Sequence, residues 1–285
     1  MQIMQDKNCN QIDKYVFHKT LFKITDSPQL LIFKKYLHEE KIPFSLECSC
    51  KLDSNQIFSE RFNMWYKDGK YFPVAVKGIV SFFRELSRKG DFKMDLPRFR
   101  NIIGDIDYDK TAQIILGVDF RKDFSDSRAK LWFILKDNPR KIADLLTQYD
   151  YEIRDQVKSS IISDTLLYGF DFYPSGRIDT KIYPIYYEKD IPSLRERGLL
   201  PNSERLSDML NRSNSFHISF KNTVSDKIYH MRPKDPDRFI QGLNNKDIST
   251  LYSMISGFSG RNTVIVSISE KEIISGRITS ANIYY

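Results

Sequence analysis

Ten short segments of this chain alternate polar and apolar residues, and they fall into five pairs with longer helical stretches between the pairs. The pairs lie at 44–51 and 58–66, 113–121 and 129–136, 165–173 and 177–186, 214–221 and 226–231, and 262–269 and 277–285. In a strand, residues two apart share a face, so alternation marks strands with one apolar and one polar side. On 129–136, Leu131, Phe133 and Leu135 form the apolar side, with Lys130, Trp132 and Lys136 opposite. On 44–51, Phe44, Leu46, Cys48 and Cys50 oppose Ser45, Glu47, Ser49 and Lys51. On 262–269, Val264, Val266 and Ile268 oppose Thr263, Ser267 and Ser269. Pro174-Ser175-Gly176 marks the turn of the third pair.

Ser27 is a good N-cap and Pro28 suits a first helical position, so a helix opens there with LLIFKKYLHEE. Further helical stretches lie near 74–89, 139–160, 193–211 and 236–258. Hairpins start at 44, 113, 165, 214 and 262, and the last three spacings of 52, 49 and 48 residues suggest an internal repeat. Together these predict an α+β fold: a ten-stranded antiparallel barrel around a solvent-filled tunnel, ringed by α-helices. An open sheet with one wet face would alternate in the same way. Bulky aromatics on the polar faces favour closure. No low-complexity linker interrupts the chain, so one domain over 1–285 is expected.

A hydrophobic fraction of 41% supports a sizeable core. No apolar run approaches the roughly eighteen residues a membrane helix needs, and the start, MQIMQDKNCNQIDK, lacks the apolar centre of a signal peptide. Three cysteines fit reduced thiols and a cytoplasmic location. Cys48 and Cys50 form C-x-C with no second pair to complete a zinc site. A net charge of +7 and pI near 9.1 suit an anionic ligand. Charge alone does not separate nucleic acid from a small phosphorylated substrate. There is no DDxxD cluster, P-loop, Rossmann glycine pattern or HExxH, the four histidines being at 18, 38, 217 and 230. A diphosphate would have to be held by Lys, Arg and Tyr.

Three strands repeat a lysine, a spacer and a large aromatic: Lys130-Leu131-Trp132, Lys181-Ile182-Tyr183 and Lys227-Ile228-Tyr229. Each presents a cation and a ring on one surface. Cations suit a diphosphate, and aromatic faces suit a carbocation through their quadrupole. Ordinary amphipathic strands with solvated lysines would carry the same pattern.

The sequence resembles the cyanobactin prenyltransferases, which alkylate ribosomal peptides. The resemblance runs through SLECSCKLDSNQIFSERF, DSRAKLWFILKDNP, LLYGFDFYPSGRIDTKIYP and ISEKEIISGRITSANIYY. It implies the ABBA prenyltransferase-barrel fold, with an isoprenyl diphosphate as co-substrate and Mg2+ assisting it. It further implies that Arg61 and Lys130 hold the diphosphate, that Tyr183 and Tyr229 shield the allyl cation, and that Glu47 contacts the nucleophile. Trp132 and Ile134 stand where members of that family can carry His and Arg. His217 occupies a place where relatives carry Phe or Gly, and that place influences the prenyl chain length accepted.

The expected reaction is ionisation of the donor, with Arg61, Lys130, Lys181 and Lys227 neutralising the leaving charge and Trp132, Tyr183 and Tyr229 facing the cation. Glu47 then accepts the acceptor's proton, or pairs with a tunnel cation and positions it. Arg121 is a further phosphate ligand or the partner of Asp119 in a salt bridge. The donor is dimethylallyl diphosphate, with geranyl diphosphate as the alternative. The acceptor is a side chain of a cyclic or linear peptide, Tyr first, with Arg, Trp or His open. Glu47, Asp171 and Asp179 could surround a guanidinium. A silent peptide- or diphosphate-binding relative, and a basic nucleic-acid-binding barrel, are the readings of other classes. Neither nucleic acid nor membrane is expected as a partner.

Overall fold

A computed structural model of the chain describes residues 2–136, 139–147, 151–162, 165–221, 226–258 and 263–285. Two helices, α1 (Gln2–Leu21) and α2 (Pro28–Glu39), lead into strands β1 (Ser45–Asp53) and β2 (Gln56–Tyr66). Helices α3 (Phe72–Lys89) and α4 (Leu96–Gly104) precede β3 (Thr111–Asp119) and β4 (Arg128–Lys136). Then come α5 (Pro139–Leu146), α6 (Tyr151–Ser160), β5 (Thr165–Phe172) and β6 (Ile178–Tyr186). Next are α7 (Ile191–Glu196), α8 (Glu204–Asn211), β7 (Ser213–Lys221) and β8 (Ile228–Pro233). The chain finishes with α9 (Pro236–Gln241), α10 (Lys246–Ser256), β9 (Ile265–Ser269), α11 (Glu270–Ser275) and β10 (Ser280–Tyr284).

The ten strands close into one antiparallel barrel in which every strand neighbours the next in sequence and β10 returns to β1. The expected fold is the one observed. The fifth pair departs from a plain hairpin, because α11 is inserted between β9 and β10 with Ser269 accepting from the Glu272 backbone N–H as its N-cap. Position 262, the expected start of the ninth strand, lies outside the described residues. The long stretches at 193–211 and 236–258 each break into two helices, around Gly198 and Pro201 and around Gly242. The stretch at 139–160 gives α5 and α6, and 148–150 between them are outside the described residues.

By contacts the chain forms two compact units. The first comprises Met1–Cys48, Ser59–Lys136 and Gly169–Asp179. Its core is an aromatic cluster between helices and the outer face of the strands. Phe62 of β2 lies 4.9 Å from Tyr15 of α1 and stacks on Phe33 of α2 at 5.6 Å. Phe83 of α3 meets Phe99 of α4 at 4.7 Å and Phe172 of β5 at 5.0 Å. Because Phe62 faces the helices, Arg61, Asn63 and Trp65 face inward.

The second unit comprises Ser49–Phe58, Asp137–Tyr168 and Thr180–Tyr285. Ile182, Phe216, Ile218, Tyr229, Met231 and Val266 are fully buried on its strands' outer face, and Leu194, Leu210 and Ile248 are buried on its helices. The inward face therefore carries Lys181, Tyr183, His217 and His230. Among the described residues no helix is long and apolar enough to cross a membrane.

Candidate active site

The inner face of β2, β3 and β4 is organised in tiers by strand register. Arg61 pairs with Asp119, which pairs with Arg128; Asn63 pairs with Gly117, which pairs with Lys130; Trp65 pairs with Ile115, which pairs with Trp132. Successive tiers are two residues, or roughly 7 Å, apart. A charged tier thus grades through one lysine into an aromatic tier.

Asp119 is the centre of the charged tier and is completely buried. Its carboxylate meets Arg121 at 2.7 Å, Arg128 at 2.7 Å, Arg61 at 3.4 Å and Lys130 at 3.6 Å. Arg128 also donates to Asp171 at 3.1 Å. Burial pushes the Asp119 carboxyl up, but these four cations outweigh it and hold the group well below the usual carboxylate range. Basic side chains thus converge on one buried carboxylate. Such a buried basic cluster suits an added anion.

Lys130 is the cation nearest the aromatic tier, its Nζ standing 5.3 Å from the centre of the Trp132 ring. Burial lowers its pKa from 10.5 to about 7, a shift only partly offset by Asp119. Two glycines make room for this arrangement. A Cβ on Gly117 would collide with Asn63 Oδ1 and stand 3.3 Å from Lys130 Cβ. One on Gly169 of β5 would overlap the Trp132 indole. Asn63 in turn donates to Glu47 Oε1 at 2.6 Å. Burial raises the Glu47 carboxyl above its usual range despite that hydrogen bond and the nearby Lys14, Lys130 and Arg61.

In the second unit, Lys181 lies directly opposite Lys221 on the inner face of β6 and β7. Like charges placed so repel one another unless an anion compensates. Around His230 stand three rings: Tyr183 edge-on at 5.4 Å, and His217 and Tyr284 each at 6.4 Å. His230 Nδ1 is 2.7 Å from Ser267 Oγ. Burial lowers the His217 imidazole to about 4, so it is neutral at physiological pH.

The structure brings Glu47, Arg61, Arg121, Lys130 and Trp132 together in the first unit, and places Lys181, Tyr183 and His217 on the inner face of the second. Lys227 and Tyr229 must be corrected. Tyr229 pairs with Ile218 and Ile268, is fully buried on the helix side, and donates to Glu270 of α11 at 2.6 Å. Lys227 precedes β8 and donates to the Leu199 carbonyl at 3.2 Å. Here the repeated lysine-aromatic pattern sits in the opposite register, so its ring faces outward and His230 takes the inner position.

Arg128, Asn63, Lys221 and His230 were missed as site residues by sequence reasoning, whereas the expected Arg121–Asp119 salt bridge is present. Arg128 and Lys221 carried a signal, since each lies on the inner parity of its own strand, two residues before Lys130 and four after His217. The convergence on Asp119 depends on cross-strand register and had no local signal.

An Mg2+ ion implied by the resemblance does not fit a protein-held site here. Among the described residues no group of three or more His, Cys, Asp or Glu could hold a metal, and Asp119 is enclosed by cations.

No curated protein matches the sequence. Among solved structures, AnaPT from Neosartorya fischeri superposes with a TM-score of 0.63 at 11% identity, covering 99% of this chain and 94% of that one. NotF prenyltransferase superposes with a TM-score of 0.51 at 12% identity, covering 90% and 88%. NotF in complex with brevianamide F and DMSPP gives 0.50 at 13%, covering 91% and 88%. At these identities the fold is what is shared. The model of the family described as "Family of unknown function (DUF5838)" matches residues 10–285, and the chain belongs to that family, built on the barrel that these solved structures share.

Proposed function

We propose that this chain is a peptide prenyltransferase, moving an isoprenyl group from an allylic diphosphate to a peptide side chain of the cyanobactin type. The observation that carries the reading is the Lys130–Trp132 step, where a buried cationic tier passes into an aromatic one within a single strand. The fold supports it, since NotF is described as a prenyltransferase. So does the burial of Arg61 and Lys130, each 4% exposed, which suits a small anion better than a nucleic acid on an open face.

In this reading the diphosphate lies against Arg61, Arg121, Arg128 and Lys130. The C1–O bond breaks and its electron pair leaves with the diphosphate, whose growing charge those cations stabilise. The allylic cation faces Trp132. The acceptor atom forms the new bond to carbon, and its proton passes to Glu47, which Asn63 orients. A raised carboxyl pKa makes Glu47 a better proton acceptor than an ordinary surface glutamate.

Tyrosine is the first acceptor. Of the acids that could surround a guanidinium, Asp171 already pairs with Arg128, and Asp179 with Arg177 at 3.3 Å. The donor is dimethylallyl diphosphate, with geranyl diphosphate second. Incubating the protein with each diphosphate and with cyclic and linear peptides bearing Tyr, Arg, Trp or His, followed by mass spectrometry, tests this. A peptide adduct matching one prenyl unit is the expected result. No adduct with any pair, for a folded protein, would refute it.

A further inference from the structure

Asp119 is the residue this reading leaves without a task, although it is completely buried at the centre of the site's cations. A carboxylate among the cations that must receive a diphosphate repels that diphosphate. Its cost to donor binding is therefore direct, and its position calls for a reason. Register supplies one. Asp119 is flanked across both neighbouring strands by Arg61 and Arg128, and along its own strand direction by Arg121. One pair of oxygens thus gathers four side chains from two strands and the loop after β3. Oδ2 accepts from Arg128 at 2.7 Å and lies 3.4 Å from Arg61 and 3.6 Å from Lys130, while Oδ1 lies 2.7 Å from Arg121. Without an internal anion, four like charges in a water-poor site would spread apart or shed a proton from Lys130.

We propose that Asp119 is a resident counter-anion: it holds Arg61, Arg121, Arg128 and Lys130 converged in the donor-free protein and limits affinity for the pyrophosphate product so that it can leave. This rests on the prenyl-transfer reading for the identity of the ligand. In the complex, the diphosphate joins a set of cations that Asp119 already holds together. Arg128, shared between Asp119 and Asp171, stays fixed by both. Asp119 is a positioning residue, because it acts on the ligand only through the cations it gathers.

The test is Asp119→Asn, which keeps the shape and removes the charge. Pyrophosphate binding, measured by calorimetry on the intact chain, should tighten by roughly tenfold or more, since one repelling charge at this range is lost. In the transfer assay, KM for the donor should fall together with kcat, and pyrophosphate should become a stronger product inhibitor. A residue that only held the fold would lower kcat and weaken pyrophosphate binding together. An unchanged or weaker pyrophosphate Kd in Asp119→Asn therefore overturns the proposal, and leaves the transfer reading standing wherever the wild type makes adducts. Tightened pyrophosphate binding in a protein that makes no adduct supports the counter-anion and counts against transfer. If Asp119→Asn does not fold alone, millimolar pyrophosphate should restore it by supplying the missing charge, and lack of rescue overturns the proposal. A wild type that binds no pyrophosphate also overturns it.

Discussion

Gly169 on β5 is the floor on which the Trp132 indole of β4 lies: any side chain at 169 would occupy the ring's own space. The glycine of the GFDFY stretch is therefore there for its neighbour strand, and one residue sets where the aromatic tier stands. Gly169→Ala should cost roughly 1–3 kcal/mol by overpacking and turn the indole out of place. Urea unfolding measures the first effect. Tryptophan emission in a Trp65→Phe background measures the second, because the chain has only two tryptophans. Adding Trp132→Leu should recover part of the lost stability, and strict additivity of the two changes would show that they do not touch.

Tyr229→Phe separates the corrected placement from the expected one. On the helix side the hydroxyl only serves Glu270, at 2.6 Å. Its removal should destabilise the protein by roughly 1.5–3 kcal/mol, the range for hydrogen bonds to charged groups, and leave the turnover of folded protein unchanged. A large fall in kcat without loss of stability would put Tyr229 back in the site.

The barrel was legible because alternation survives wherever one strand face packs on helices, as Leu131, Phe133 and Leu135 do. Helix α1 was not, because besides Tyr15 its anchors are largely polar: Asn8 donates to the Ile42 carbonyl, Lys14 to that of Leu46, and the His18 ring lies 2.7 Å from the Ser59 carbonyl. Such contacts leave no apolar stripe to read. Helix α4 was not expected either, although Asp95 as its cap and Pro97 in its first turn are start signals. In the site, Arg61, Lys130 and Trp132 could be found from strand parity and the resemblance. Asn63, and the approach of Arg61, Arg128 and Lys130 to Asp119, required the register between strands, which a single strand does not encode. Tyr229 shows the converse: an identical local pattern on β8 meets the opposite parity.

Lys130 predicts a pH dependence. Its folded pKa of about 7 lies below the ordinary 10.5, so between those values the unfolded chain holds the extra proton and this group's contribution to stability rises with pH. A bound diphosphate favours the charged form. Donor affinity should therefore weaken as pH rises above about 7, with proton uptake on binding that is absent near pH 6. Calorimetry in buffers of different ionisation enthalpy reads this directly. Lys130→Met should abolish the proton uptake and weaken donor binding roughly ten- to a hundredfold, as expected for one charge-assisted contact. Identical uptake in the variant would assign the proton to another group.

Glu47→Gln keeps the shape and the hydrogen bond with Asn63 while removing the proposed base. Turnover should fall by roughly a hundredfold or more, with donor affinity nearly unchanged. Because the Glu47 carboxyl is raised, the wild-type rate should decline on acidification at a pH above the ordinary glutamate value of 4.5. The variant should lose that limb of the profile. A variant that turns over like the wild type would make Glu47 a structural partner of Asn63.

His217 offers the most direct handle on the donor. It faces inward from β7, opposite His230, while Phe216 and Ile218 on either side are fully buried against the helices. An imidazole there leaves more room than a phenyl ring and less than a glycine. We expect the wild type to prefer the five-carbon dimethylallyl donor, because a longer tail adds buried apolar area only where space exists. His217→Gly should shift the ratio of kcat/KM towards geranyl diphosphate, with about tenfold discrimination at stake for a change of a few methylene groups. Competition between the two donors, read by mass spectrometry of the peptide product, measures the ratio in one tube. Since the imidazole is neutral at assay pH, with its pKa near 4, the change should act through volume and not charge. His217→Leu, of similar size, should therefore keep the wild-type preference. If both variants shift alike, the histidine acts through its nitrogens, and the wall of the prenyl pocket lies elsewhere on the inner face.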